Sequence, residues 1–574
     1  MTAVLAIVGA GPRGTGLLER LAANARLLPS GGCEIHVVDP HPAGAGRVWR
    51  PDQSELLLMN SRAGDVTMFT DRSVRCAGPI TPGPTLAEWA GVGDDAFASR
   101  RLGGAYLTWC FDRAVNAFPS DVRVVVHRTS AVALSDGSRQ TITLADGSHV
   151  VADVVVLAQG NVGGHRDEQQ RAHQEHAART GGTYLPPSCP GDEDLDLLPP
   201  GERVLVSGLG LAFVDLAVLL TEGRGGRFTR SRDGVLSYRP SGREPVLHAG
   251  SRRGVPYLPK PLLPPVTDPA PRFFTPDLLA TATPGELVGA ACRELVWAHY
   301  RELFAAHRDR TRLPWRTFAA EFAAVDVTDP ALEALVARAV PAPQDRADVS
   351  FLRSPLAGRT FADQTELGSW MGDHLGRTVA RATDPRHSAH AAVLHGLLTV
   401  SEVLEQQTAP TPAAGRAAAM LSRFAAYLGS GPPPHRLEQL GALSRAGILR
   451  FLGADLRVDH AADAFRARTA SLPSPVTARH LVEARLPDPD ARAHPLLENL
   501  THERLRVPVD PDTFQVLDRA GSPHPRRLAL GLFAGGGALG AFSRPGRDAP
   551  FFRQNDETAR RVLTELGALV TAGV

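Results

Sequence analysis

The sequence predicts an α/β protein made of two parallel-sheet units, interrupted by a large helical insertion. Three observations predict it. Two apolar runs, within Val4–Asn24 and Arg203–Gly223, each end in a glycine pair and pass into an amphipathic stretch. A long segment, 275–440, repeats apolar residues at three- and four-residue spacing. At 574 residues the chain exceeds one ordinary core, so more than one domain is expected.

Composition narrows the class. A hydrophobic content of 43% and a charged content of 21% describe a soluble globular chain. A net charge of +1 gives no broad pull toward nucleic acid or anionic membrane. No apolar stretch reaches the length of a membrane span. The N-terminal run lacks a basic leader and is broken by Gly9, Gly11 and Pro12, unlike a signal peptide. The five cysteines are Cys33, Cys76, Cys110, Cys189 and Cys292. Odd in number and without a CxxC pair, they predict neither a disulfide framework nor a zinc ribbon. A cytoplasmic location fits them.

The first element is "LAIVGA", a buried-strand run, followed by Gly9-Ala-Gly11-Pro12-Arg13-Gly14 and the helical "TGLLERLAA". Gly9 permits the turn, Gly11 lets backbone approach a pyrophosphate, and Gly14 lets the helix pack on the strand. The anion would rest on the helix N-terminus, where free N–H groups and the helix dipole favour it. A second strand, "CEIHVVD", ends in Asp39, placed to accept from ribose hydroxyls.

The second turn, Gly208-Leu-Gly210-Leu-Ala-Phe213, has Phe213 where a strict fingerprint has its third glycine. Gly208 and Gly210 still provide the turn and the close approach. The following strand ends in Ser251-Arg252-Arg253-Gly254. An NAD site would place an acid there; two arginines suit the 2′-phosphate of NADPH, which Arg binds bidentately. A solvated basic turn is the alternative. An ordinary βα unit without nucleotide is the alternative for the second turn; two nucleotide-binding turns imply two Rossmann-like dinucleotide-binding domains.

The stretches "AIVGAGPRGTGLLERL", "GLGLAFVDLAVLLTEGRGGRF", "LSYRPSGREPVLHAGSRRGVPY" and "AFSRPGRDAPFFRQNDETARRVL" resemble the FAD/NAD(P)-binding family of two-dinucleotide flavoproteins. Its relatives are class B flavin monooxygenases and N-hydroxylases, and the likeness is to an actinobacterial branch. The resemblance implies FAD at the first turn and NADPH at the second. It implies that Gly44, Gly46, Arg47 and Trp49 form a loop against the flavin, continued by Asn60, Arg62 and Asp65; Trp49 as a plain core aromatic is the alternative. Arg47, Trp49, Asn60 and Asp65 are the candidate catalytic residues. "HVVADVVVLAQGN" resembles the strand before the interdomain crossover, which brings Gln159 and Gly160 to the cofactor. The runs with turns at Asp136-Gly137 and Asp146-Gly147 resemble the small antiparallel sheet of such FAD domains.

Near the C-terminus, "RLALGLFAGGGALGAF" maps to the family's last flavin strand and helix, with Gly536 at the cofactor. The acid common there is missing. "FFRQNDETARRVL" reads as a helix start capped by Asn555 or Asp556, and the resemblance implies that Gln554 lies near the flavin ring. The Baeyer–Villiger fingerprint FxGxxxHxxxW is absent, which argues against ester formation. In the insertion, His387, His390 and His395 lack a third ligand at clear spacing, so no metal is expected.

The expected organisation is an FAD-binding domain over 1–195, an NADPH-binding domain over 196–274, a helical insertion or cap over 275–440, and a return to the FAD domain over 441–574. The expected activity is that of an FAD- and NADPH-dependent monooxygenase. It would oxygenate a small molecule, such as an amine or amino acid nitrogen, with O2 through a C4a-(hydro)peroxyflavin. The alternatives are an NADPH-dependent flavin reductase without oxygen insertion and a dinucleotide-binding protein without turnover. Substrate identity and oligomeric state stay open.

Overall fold

A computed structural model describes residues 2–28, 32–263, 271–325, 329–405, 411–535 and 540–572. The chain divides into two compact units, Met1–Asp167 with Pro487–Val574, and Glu168–Leu486.

The first unit is built on a six-stranded sheet. Its order is Gln515–Leu517, Pro523–Ala529, Val154–Leu157, Ala3–Val8, Cys33–Val38, Val122–His127. All neighbours are parallel except the first pair. Ala3–Val8 and Val154–Leu157 are buried at every residue, which is why they read as unbroken apolar runs: both sheet faces are covered. On one face the helices Pro12–Ala23, Arg100–Asn116 and Pro550–Ala572 contribute Leu17, Leu21, Phe111 and Val562. The other face packs on the antiparallel sheet Ala131–Ser135, Gln140–Leu144, His149–Ala152, through Ile142, Leu144 and Val150. That small sheet is the one expected from the two Asp-Gly turns.

The second unit holds a five-stranded, all-parallel sheet ordered Leu449–Gly453, Val246–Gly250, Arg203–Ser207, His480–Glu483, Thr183–Leu185. Its core joins Val204 and Val206 to Phe213 and Leu216 of the helix Leu211–Leu220, and to Leu367 and Leu440 of the insertion. The expected return to the first unit at 441 is therefore corrected. Leu449–Gly453 and His480–Glu483 pair into the second sheet, and only from Pro487 onward does the chain rejoin the first unit. The boundary expected at 195 shifts likewise, because Thr183–Leu185 pairs with His480–Glu483. Each strand needs a partner for its N–H and C=O groups, and apolar runs do not announce which sheet supplies it.

The insertion is helical as predicted. Pro284–Ala306 starts at a capping box between Thr283 and Glu286 and packs along Ser388–Glu405. Glu294 is fully buried, and its Oε2 accepts the N–H groups of Arg272, Phe273 and Phe274 at 2.7–3.1 Å. A carboxylate that closes a backbone turn in this way repays its own desolvation. Among the described residues no helix is long and apolar enough to cross a membrane, and the five cysteines are free.

Candidate active site

The first glycine turn is fixed by sterics. Gly9 has φ +108°, and a Cβ there would lie 2.7 Å from the Ala158 carbonyl carbon. A Cβ on Gly14 would lie 2.0 Å from the Gly9 carbonyl oxygen, so the helix can sit this close only with glycine. Gly11 differs: its Cβ would meet nothing nearer than the Gly46 Cα at 3.8 Å. The space beside Gly11 is a cradle that a side chain would fill.

Pro12 and Arg13 open the helix Pro12–Ala23. Its N-cap, Gly11, offers no side-chain hydrogen bond, and its first turn holds no acid. The first N–H groups and the positive end of the dipole are thus left for an anion. Arg13 adds a cation here. It is buried, donates through Nη2 to the Gly540 carbonyl at 3.0 Å and lies 5.3 Å from the Phe551 ring centre. Burial lowers its pKa to about 10, which leaves it charged at neutral pH.

Asp39 follows the second strand. Its Oδ2 accepts from the Ala10 N–H and its Oδ1 from the His41 N–H, each at 2.8 Å. Burial raises its pKa and these bonds oppose the rise. The acid expected to meet a ribose also clamps the glycine turn. The loop after it is clamped too: the Gly44 N–H donates to the Ala10 carbonyl at 2.7 Å, and the Thr108 hydroxyl to the Ala43 carbonyl at 3.2 Å. Gly46, at φ +58°, lies directly against Gly11.

Gln159, at the C-terminal end of Val154–Leu157, has both side-chain amide atoms buried without a hydrogen-bond partner among the described residues. Its backbone N lies 2.9 Å from where a Gly9 Cβ would be. A buried amide with no partner is costly unless a ligand supplies one. Gly160 beside it is exposed. This orphaned amide, the Gly11 cradle and the uncapped helix suit a dinucleotide.

The candidate catalytic residues are spread along one loop. Arg47 is exposed and Asn60 half-buried. Trp49 is half-buried with its ring 5.8 Å from that of Phe542. Asp65 is engaged by Arg62 at 2.9 Å and Arg544 at 3.7 Å, an ion cluster that holds the loop. Gly536 lies outside the described residues. Gln554 does not stand at a helix start: the helix begins at Pro550. Asn555 and Asp556 are therefore interior and buried, and their expected capping role is corrected. Asp556 Oδ1 instead accepts from Asn24 at 2.9 Å and its Oδ2 from the Gly78 N–H at 2.9 Å. The polar spacing that resembled a cap is a buried helix-to-loop tie.

The second turn repeats the geometry. Gly208 has φ +125°, and its Cβ would lie 2.6 Å from the Ala484 carbonyl oxygen. The helix Leu211–Leu220 has Gly210 as an uncapped N-cap and no acid in its first turn. Phe213, in place of the third glycine, is fully buried in the core. Tyr257 covers Gly210, with its ring 3.3 Å from a Cβ built there.

The Ser251 hydroxyl accepts from the Gly254 N–H at 2.9 Å. The two arginines behave differently. Arg252 is exposed. Arg253 is half-buried, 4.1 Å from the Tyr427 ring centre, and donates to the Arg353 carbonyl at 2.9 Å. The paired role expected for them thus divides: Arg253 is held by protein, and Arg252 is presented to solvent.

A cleft of about 610 Å³ adjoins Ser207 and Glu483 at the C-terminal ends of their strands and includes His173, Arg457, Asp459 and Arg468. Ligands of open α/β sheets bind at such strand ends, and the volume is that of a small-molecule site. Sequence reading missed Arg457 and Arg468. They come from the small sheet Arg457–His460, Phe465–Arg468, Val476–Ala478, whose place beside the glycine turn is a tertiary fact. Among the described residues no group of three His, Cys, Asp or Glu side chains could hold a metal ion.

Two uncapped glycine-turn helices, each following a strand inside a parallel stretch of its sheet, suit two dinucleotides. The FAD-NAD(P)-binding family profile matches residues 6–162. The L-aspartate N-monooxygenase (nitrosuccinate-forming) of Streptomyces davaonensis is 35% identical, over 92% of this chain and 91% of that protein. The enzyme of the same name from Streptomyces cremeus is 36% identical, over 92% and 89%. Nitrosuccinic acid synthase npaA of Aspergillus oryzae is 34% identical, over 98% and 92%. Among solved structures, ornithine hydroxylase from Pseudomonas aeruginosa aligns over 99% of this chain and 100% of that one, at 11% identity and a TM-score of 0.46. The chain belongs to this family of FAD/NAD(P)-binding flavin-dependent N-monooxygenases. It is an oxidoreductase, an FAD- and NAD(P)-dependent monooxygenase of a small molecule.

Proposed function

We propose that this enzyme oxygenates the α-nitrogen of a small acidic amino acid, L-aspartate first, with NADPH as reductant and O2 as oxidant. The observation that carries the substrate is the 35% identity across 92% of the chain to an enzyme named for that reaction. Bound flavin supplies hydride acceptance and oxygen activation. The protein's part is to hold and to exclude water. The N–H groups at Gly11–Arg13 and the Arg13 cation would hold the FAD pyrophosphate. Asp39 would accept from its ribose while fixing Ala10. The Gln159 amide offers N–H donors and a carbonyl acceptor to the cofactor. Gly208, Gly210 and Arg252 would hold NADPH, with Arg252 on the 2′-phosphate and Arg253 and Ser251 positioning it. Arg47, Trp49 and Asn60 line the loop that would screen the flavin from water.

The test is substrate-coupled oxygen uptake by the flavin-loaded enzyme with NADPH, with products identified by mass. Oxygen use stimulated by L-aspartate, with a nitrogen-oxygenated four-carbon diacid as product, is expected. Uptake that L-aspartate leaves unchanged, or that yields only hydrogen peroxide, would reject the assignment.

A further inference from the structure

The helical insertion contains a cavity that neither glycine turn uses. The helices Gln364–Thr383, Ser388–Glu405 and Pro412–Gly429 form its walls with the segment 258–261. The volume open to water is about 70 Å³, space for one small organic molecule where a water needs about 10–15 Å³. Leu258, Pro259, Phe351, Val393, Leu394 and Leu428 make most of the wall apolar. Five polar side chains interrupt it: His374, Thr378, Arg381, His390 and Tyr427.

Their chemistry is one-sided. Arg381 forms no ion pair among the described residues, and the side chains that act on it electrostatically, Arg377 and Tyr427, include no carboxylate. Tyr427 is fully buried, and its hydroxyl has no hydrogen-bond partner among the described residues. Arg381 and Arg253 both act on that hydroxyl electrostatically. His374 lies flat on Trp370, with ring centres 5.0 Å apart. Burial, followed by nearby arginines, lowers His374 to about 4. Burial, followed by His299 and Arg381, lowers His390 to about 2. Both imidazoles are therefore neutral near pH 7. The site carries one fixed cation and neutral hydrogen-bonding groups, and among the described residues its wall holds no Asp or Glu.

A half-buried guanidinium with no carboxylate partner among the described residues, and a buried phenol with no partner among them, both suit an acceptor. Arg favours a carboxylate, which it binds with two parallel N–H groups. The apolar wall suits a hydrocarbon body. With no acid among the described wall residues, an ammonium group would be repelled by Arg381 and left unpaired. We infer that this cavity binds a small aliphatic carboxylate that carries no ammonium group, with Arg381 as its counter-ion and Tyr427 as a hydroxyl donor. Such a ligand is chemically distinct from an amino acid substrate, so the assignment stands apart from the proposed reaction.

The test is titration calorimetry on the flavin-loaded, full-length enzyme, with butyrate and 2-aminobutyrate as matched probes. Butyrate is expected to bind at one site per chain. The added ammonium group should weaken binding at least tenfold. Arg381→Met should lower the butyrate affinity at least tenfold, and Tyr427→Phe should reduce it severalfold while keeping the ring that Arg253 packs on. If Arg381→Met does not fold, Tyr427→Phe and the probe pair still decide. No butyrate binding at about 10 mM, equal binding of the two probes, or unchanged binding in both variants would overturn the assignment. None of these readings depends on turnover of L-aspartate.

Discussion

Asp39 Oδ2 accepts the Ala10 N–H at 2.8 Å, so the acid after the second strand holds the glycine turn in shape. Asp39→Ala should act on folding as well as on cofactor affinity. An unpaired buried N–H costs about 1–3 kcal/mol. Apparent melting of the flavin-free protein should drop for Asp39→Ala and recover in large part for Asp39→Asn, which retains an acceptor. Equal stability of the wild type and Asp39→Ala would show that the clamp is unimportant.

Gly11 and Gly14 should separate cofactor binding from stability. A Cβ at Gly11 meets nothing within 3.8 Å, whereas one at Gly14 strikes the Gly9 carbonyl at 2.0 Å. Gly11→Ala is expected to fold with near-native stability and to lose flavin, read from the visible absorbance of the purified protein. Gly14→Ala is expected to lower stability or soluble yield directly. Flavin retention by Gly11→Ala would remove the pyrophosphate from this turn.

Arg252 is exposed and Arg253 is packed on Tyr427, which divides their expected effects. Arg252→Ala should raise KM for NADPH by tenfold or more and leave KM for NADH nearly unchanged, since a charge-assisted phosphate contact is worth about 1.5–3 kcal/mol. Steady-state kinetics with both nucleotides checks this. A parallel loss with both would assign Arg252 to a feature common to the two.

Burial also sets a pH dependence. His248 and His374 are lowered from 6.5 to about 4, chiefly by desolvation. Between about pH 6.5 and 4 the unfolded chain binds more protons at these positions, so stability rises with pH there and is lost on acidification. Each site contributes at most about 3.5 kcal/mol, because a tenfold change in proton affinity is worth about 1.4 kcal/mol. Melting scans from pH 7 to pH 4 should show the decline, and His248→Gln should make it shallower. An identical pH profile in that variant would exclude His248 as a source.

Phe213 tests the departure from the glycine fingerprint. It is fully buried in the core of the second unit, and its truncation to Ala should cost about 3–5 kcal/mol. Urea unfolding of the second-unit transition would measure it. A neutral effect would mean that the position is not the packing site described.

The sequence by itself determined both glycine turns, the parallel strands before them, the small antiparallel sheet and the helical insertion. Each is a local pattern: Gly9 and Gly208 stand where φ is positive, and Ala3–Val8 is apolar because both of its faces are covered. Tertiary structure alone decided where the strands after 441 pair, because hydrogen bonding between distant segments leaves no local trace. It decided that Arg253 serves Tyr427 while Arg252 faces solvent, that Asp556 ties a loop instead of capping a helix, and that Arg457 and Arg468 stand by the second turn. It alone gathered Arg381, His374, His390 and Tyr427 around one cavity. A charged or aromatic residue reads the same in sequence wherever it points; its partners, and hence its chemistry, are fixed by packing between elements far apart in the chain.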